Sequence, residues 1–229
     1  MIEQIVFDLD DTLLDTYRQL VPKATRDACL AMIKEGLATD LETALKACAE
    51  REMKKPRHDL FTSLVSRFGI REGADPLKVA GAGSQAFYNR KVETDIQLFP
   101  GTRELLGELR EKGYPLHLVT QGHRPTQEEK IRILGLEPYF DSIHHVDPKQ
   151  GERKRDAFSR VMARTKLTPM SYLSVGNRID TDIAEAKELG WQTCWLRYGE
   201  YKHMTPTLPL ERPDYTIENL KELPQKCQL

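Results

Sequence analysis

From residue 100 to residue 196 the sequence alternates short apolar runs with stretches of helical spacing, and few folds accommodate that alternation. Runs at 116–119 (LHLV), 142–146 (SIHHV), 172–175 (YLSV) and 193–196 (TCWL) are separated by helix-like stretches at 102–112, 127–134, 155–164 and 180–189. Gly113 and Gly190 close the first and last of these stretches, as a residue tolerant of left-handed backbone does. Strands separated by whole helices cannot pair as hairpins. They pair in parallel, with the helices covering both faces of the sheet. The run Ile5-Val6-Phe7 near the N-terminus, ending at Asp8, supplies one more strand. A short run at 214–217 and a helix-like stretch at 218–223 close the fold. The predicted class is α/β, with a Rossmann-like parallel sheet as its core.

Between about residues 16 and 97 the period changes. Leu30, Ile33 and Leu37, then Leu41, Ala44, Leu45 and Cys48, then Leu60, Leu64 and Phe68 recur at helical spacing, and no strand pattern intervenes. Gly73, Pro76, Gly81 and Gly83 break up the second half. This predicts an α-helical domain, 16–97, inserted into a core made of 1–15 and 98–229. The basic run 51–58 (REMKKPRH) reads as a solvated helix end, Trp191 and Trp195 as core residues, and 201–213, with Pro206, Pro209 and Pro213, as an irregular loop.

Charge narrows the function classes. The 229 residues carry 34 Lys and Arg against 35 Asp and Glu, a net −1, which argues against a nucleic-acid partner. No apolar run is long enough to cross a bilayer, and the acidic start is unlike a secretory signal. Cys29, Cys48, Cys194 and Cys227 are scattered, without zinc-ligand spacing or a disulfide framework. The expectation is a reduced, cytoplasmic protein. The sequence carries no mark of oligomeric state.

The chemistry is concentrated in Asp8-Leu9-Asp10-Asp11-Thr12, directly after the first strand. Ligands of open parallel sheets bind outside the carboxyl ends of the strands, so a carboxylate placed there meets substrate while its backbone is held by the sheet. Asp8 and Asp10, two apart, can serve one centre, one as nucleophile and the other as acid and base.

Four stretches in order, FDLDDTLLD (7–15), LHLVTQG (116–122), GERKRDAF (151–158) and VGNRIDTDIAEAKELGW (175–191), resemble the haloacid dehalogenase-like hydrolase superfamily, most of whose members are magnesium-dependent phosphatases. The resemblance implies that the helical insertion is a cap. It makes Asp8 the nucleophile that forms an aspartyl-phosphate and Asp10 the acid/base, whose backbone carbonyl also touches the metal. Thr12 would shape that loop, and Thr120 with the amides of Gln121 and Gly122 would hold phosphoryl oxygens. The charge-balancing lysine is Lys149 or Lys154, and Lys154, at the helix start four residues before Phe158, is favoured. Mg2+ is the implied cofactor, held by Asp8, Asp10, Asn177 and Asp182. An oxygen donor set without His/Cys clusters suits this hard cation rather than zinc.

At residue 177 the chain departs from the family, which places an Asp after the Gly. Asn177 offers an amide oxygen but no charge. Asp180 is either part of the same motif or the N-cap of the next helix. The expected activity is hydrolysis of a small phosphorylated metabolite. A phosphomutase or a dehalogenase of the same superfamily is the alternative, the dehalogenase disfavoured by Asp10. A catalytically weak phosphate-binding protein rests on Asn177 alone.

Overall fold

The computed structural model describes residues 1–52, 59–89, 91–92 and 95–229. Most of the basic run 51–58 therefore lies outside the described residues. The chain forms β1 (Gln4–Phe7), α1 (Thr16–Gln19), α2 (Val21–Glu35), α3 (Leu41–Glu52), α4 (Leu60–Phe68), α5 (Pro76–Tyr88), α6 (Thr102–Glu111), β2 (Leu116–Gln121), α7 (Arg124–Leu134) and β3 (Ser142–Val146). It continues through α8 (Lys154–Met162), β4 (Tyr172–Gly176), α9 (Ala184–Lys187), β5 (Gln192–Leu196), β6 (Tyr215–Ile217) and α10 (Leu223–Cys227). Two compact units result: Met1–Tyr17 with Glu93–Leu229, and Arg18–Val92.

The first unit is built on a six-stranded sheet of order β3-β2-β1-β4-β5-β6. Every neighbouring pair is parallel, with Ile5 opposite Leu116 and Leu173, and Phe7 opposite Leu118 and Val175. The strand order reverses between β1 and β4, and the carboxyl ends of these two strands flank the crevice where such sheets bind ligands. Each residue of β1 is buried, as a central strand covered on both faces requires. Val6, Val119, Val146, Phe158, Tyr172 and Trp191 share one cluster. Trp191 stacks on Tyr172 with ring centroids 4.7 Å apart and packs 5.0 Å from Phe158. Both tryptophans are buried, as expected. Among the described residues no helix is long and apolar enough to cross a membrane.

The second unit is helical, and here two sequence expectations need correction. Leu30 is 44% exposed, because α2 buries the face carrying Ala24, Ala28 and Met32 instead. Gly81 and Gly83 do not break the chain but lie inside the 13-residue helix α5. Pro76 begins this helix, and the Asp75 side chain caps it by accepting from the amide of Leu77 at 2.8 Å. Gly83 is there for contact: a Cβ at this position would lie 2.6 Å from Met32 Sδ and 2.8 Å from a Phe61 ring carbon. Small residues on α2 and α5 let two helices approach closely, and Gly83 is a packing feature, whereas a Cβ on Gly81 would meet nothing within 4 Å.

Candidate active site

The first motif leaves the sheet at a fixed point. The Asp8 amide donates to the Val175 carbonyl at 2.9 Å, extending the β1–β4 ladder by one residue. The carbonyl of Leu9 then accepts from the amides of Thr12, Leu13 and Leu14, closing a tight turn in which Asp11 takes a left-handed backbone at φ 56°. Asp is one of the few side chains that tolerate this conformation. Its carboxylate also accepts from the Tyr17 amide at 2.7 Å. Leu9, Leu13 and Leu14 are fully buried and anchor the turn from below. The alternation of acidic and leucine residues therefore presents Asp8 and Asp10 while the leucines hold the backbone. Thr12 Oγ1 lies 3.5 Å from Asp8 Oδ2.

Lys154, the first residue of α8, is 2% exposed and sends its ammonium to Asp8 Oδ1 at 2.6 Å and to Asp182 Oδ1 at 2.5 Å. Lys149 is exposed, in the loop, where its amide caps onto Asp147. Of the two candidate lysines, Lys154 is the one in the site. Burying an ammonium is costly unless partners repay it. Burial works against the charge of Lys154, but Asp182 and Asp8 together hold its pKa above the ordinary lysine value. Asp8 is the more perturbed partner. Burial pushes its carboxyl up to about 7, Lys154 opposes that push, and Asp182 adds to it.

Asp182 reaches this point by an unusual path. Ile179–Ile183 form a single π turn, a local widening often found at functional sites. Asp182 Oδ2 accepts from the Arg178 amide at 2.9 Å, and Ser174 Oγ donates to the Asp182 carbonyl at 2.8 Å. Asn177 is 2% exposed in the same loop, and its carbonyl accepts from Trp195 Nε1 at 2.9 Å, which ties the loop to β5. Asp180 is not an N-cap. Its carboxylate takes two bonds from the Arg178 guanidinium, at 3.1 and 2.6 Å.

Asp10 belongs to a second ion pair. Lys130 Nζ donates to Oδ1 at 2.7 Å, Gln127 Nε2 donates to Oδ2 at 2.7 Å, and the Thr16 hydroxyl donates to Oδ1. Burial raises the Asp10 pKa. The charge of Lys130 and the bonds from Gln127, Lys130 and Thr16 outweigh it and hold the carboxyl below its ordinary value. Gln127 Nε2 also lies 2.7 Å from Thr120 Oγ1 and 3.1 Å from the Gln121 carbonyl. Thr120 accepts there, so its own proton remains available to donate. The Gly122 amide is committed to the Val146 carbonyl at 3.0 Å, so it is not free for a substrate oxygen. Its φ of 148° is a backbone conformation that favours glycine, and a Cβ there would make only ordinary contact with Gln127 Nε2 at 3.4 Å.

Gln127 and Lys130 escaped the sequence analysis, although a signal was present. In α7 the buried positions are Thr126, Gln127, Lys130, Ile131 and Leu134, so a glutamine and a lysine occupy the helix's inner stripe. Polar residues at stripe positions are rare unless paired.

The donors around Lys154 are oxygens, and two carboxylates already converge on one cationic group. Among the described residues no three His, Cys, Asp or Glu side chains form a metal cluster, so a divalent ion would need carbonyl oxygens as well. The carboxylates of Asp8 and Asp182, with the Asp10 carbonyl and the Asn177 amide oxygen, are the oxygen donors that would hold magnesium, and their chemistry suits that hard cation.

Two carboxylates meet on one lysine where β1 and β4 of a parallel α/β sheet end. The haloacid dehalogenase-like hydrolase model matches residues 2–190, and the chain belongs to that family. It is 33% identical over 234 residues to the glyceraldehyde 3-phosphate phosphatase of Pyrococcus furiosus, covering 100% of this chain and 92% of the relative. The enzyme of that name from Methanocaldococcus jannaschii is 34% identical over 230 residues, covering 97% and 96%. Among solved structures, a haloacid dehalogenase-like family protein of Streptococcus pneumoniae superposes with a TM-score of 0.66 at 23% identity, covering 97% and 96%. The HAD-hydrolase YfnB of Bacillus subtilis, in a magnesium-bound form, superposes with a TM-score of 0.64 at 24% identity, covering 98% and 97%. At these identities the structures speak for the fold.

Proposed function

We propose that this chain hydrolyses small phosphate monoesters through an aspartyl-phosphate on Asp8, with magnesium as cofactor. The observation that carries the reading is the Lys154 ammonium held between Asp8 and Asp182 where β1 and β4 end. A phosphate dianion approaching a carboxylate is repelled, and catalysis needs positive charge fixed in advance. Lys154 supplies one fixed charge. Magnesium, when bound by Asp8, Asp182, the Asp10 carbonyl and Asn177, supplies the rest.

In the first step Asp8 attacks phosphorus and the phosphorus–oxygen bond to the leaving group breaks; Asp10, which Lys130 and Gln127 hold ionised beforehand, takes up a proton with the incoming phosphate and gives it to the departing oxygen. In the second, Asp10 takes a proton from water as water attacks the phosphoryl group, and the Asp8 carboxylate is restored. Thr120 donates its hydroxyl proton to a phosphoryl oxygen throughout. The names of the relatives, glyceraldehyde 3-phosphate phosphatase and, at 26% identity, the phosphoglycolate phosphatase of Escherichia coli, support a phosphorylated two- or three-carbon substrate. By resemblance to the family's cap, substrate choice is assigned to the helical unit.

Phosphate release from a panel of small phosphate monoesters, with magnesium and with a chelator, tests the proposal. Magnesium-dependent release from at least one two- or three-carbon ester is expected. Release unaffected by the chelator would remove magnesium from the scheme, and no release from any ester would remove the activity.

A further inference from the structure

We infer that Gln127 and Lys130 are positioning residues that aim the Asp10 carboxyl at the leaving-group oxygen, so that proton delivery depends on an ion pair separate from the one at the nucleophile. The inference rests on the phosphatase reading above and adds two residues to it.

Two polar side chains are buried where apolar ones would serve the fold. Gln127 is 3% and Lys130 5% exposed, on the inner stripe of α7 beside Ile131 and Leu134. An ammonium in such a place carries a desolvation cost, and apolar residues of similar volume are often at least as stabilising. Gln127 also leaves its Oε1 buried and without a hydrogen bond among the described residues. A buried acceptor without a protein partner offsets part of what the residue's donated bonds contribute to stability. What it does provide is donation, and both of its strong bonds go to Asp10 and Thr120.

The two oxygens of Asp10 are taken by different donors, Oδ1 by Lys130 at 2.7 Å together with the Thr16 hydroxyl, and Oδ2 by Gln127 at 2.7 Å. One donor would leave the carboxyl free to rotate about its last bond; two donors on two oxygens fix it. Gln127 simultaneously touches Thr120 Oγ1, which sets the acid/base relative to the residue that holds the phosphoryl group. A small displacement of a proton donor is costly in rate, because proton transfer requires hydrogen-bond distance. Lys154 cannot substitute, since its bonds go to Asp8 and Asp182.

Leaving-group chemistry distinguishes positioning from a general structural role. A p-nitrophenolate departs readily without a proton, whereas unsubstituted phenolate needs one more. The experiment compares kcat/KM for p-nitrophenyl phosphate and phenyl phosphate in the wild-type chain, Lys130→Met, Gln127→Leu and Lys130→Arg, with thermal unfolding measured for each. Loss of well-placed acid catalysis is worth about 10²–10⁴-fold. Lys130→Met and Gln127→Leu should therefore lose at least about tenfold more on phenyl phosphate than on p-nitrophenyl phosphate, and Lys130→Arg should recover part of that difference. Equal losses on the two esters in folded variants, or no loss on either, would overturn the inference while leaving the phosphatase reading intact. A wild-type chain inactive on both esters would overturn the phosphatase reading, and this inference with it.

Discussion

A Cβ placed on Gly176 would lie 2.2 Å from Oδ2 of Asp182. The last residue of β4 is therefore a glycine because a carboxylate folds back over it, brought there by the π turn that follows the strand. Gly176→Ala must push Asp182 away and with it one of the two partners of Lys154. Overpacking of this kind costs about 1–3 kcal/mol. The variant should stay folded with its unfolding midpoint lowered, and phosphatase turnover should fall by about 10²-fold, since small misplacements in a site carry penalties of that size. Steady-state kinetics beside a denaturation curve checks both, and unchanged turnover would detach Asp182 from the reaction.

Lys154 and Lys149 should respond differently to the same change. Lys154→Met leaves two buried carboxylates facing each other, and breaking a buried pair costs about 3–5 kcal/mol. Lys149→Met, on an exposed loop, should stay within about 0.5 kcal/mol of the parent and keep its activity. Chemical denaturation of the two variants decides the matter, and equal effects would contradict the assignment of Lys154.

These contrasts bear on how much the sequence disclosed. The parallel sheet was legible because each strand is a short apolar run between helices, and β3 spans the same residues as its run, Ser142–Val146. The helical unit was legible only in outline. Gly81, Gly83 and Pro76 carry breaker chemistry, yet all three lie in α5, where Gly83 meets Met32 and Phe61 in a close contact that no local pattern reports. In the site, Asp8, Asp10 and Asp182 could be found from motif spacing. Gln127 and Lys130 stand out only as polar residues on the inner stripe of α7, and their partner, 117 and 120 residues away in sequence, is not legible there. The commitment of the Gly122 amide to Val146 is equally a product of sheet register.

Asn177 sits 2% exposed in the loop that carries Asp182. An aspartate there would add one negative charge to a set of oxygen donors that binds hard cations largely by charge. Asn177→Asp should lower the magnesium concentration giving half-maximal activity, and calorimetric titration with magnesium alone should show the same tightening. An unchanged or higher requirement would remove residue 177 from the metal's ligands.

Two buried histidines away from the site should weaken the fold as it is acidified, against the opposite contribution of Asp8. His117 is buried with its two ring nitrogens 2.8 Å from Ser142 Oγ and Gln4 Oε1, and the same Ser142 hydroxyl meets His144 Nε2 at 2.9 Å. Burial drives both pKa values down, to about 4, and Arg164 adds to the effect on each. A folded-state value below the unfolded one means that protonation favours the unfolded chain. Their contribution is intact above about pH 6.5 and is lost progressively as pH falls from there toward 4. Urea midpoints should drop across that interval, and His117→Gln should flatten the drop. A slope unchanged in His117→Gln would show that the histidine network does not govern it.

The covalent bond to Asp8 is tested by mass analysis of the acid-quenched enzyme during turnover of p-nitrophenyl phosphate with magnesium. Asp10→Asn is the form to use, because it can be phosphorylated by an ester with a good leaving group but lacks the base that releases the phosphoryl group. The account predicts a phosphoryl adduct on the peptide that contains Asp8, absent when Asp8→Asn is combined with it, and Asp8→Asn alone without turnover. Turnover by Asp8→Asn near the wild-type rate, or an adduct on any other residue, would contradict it.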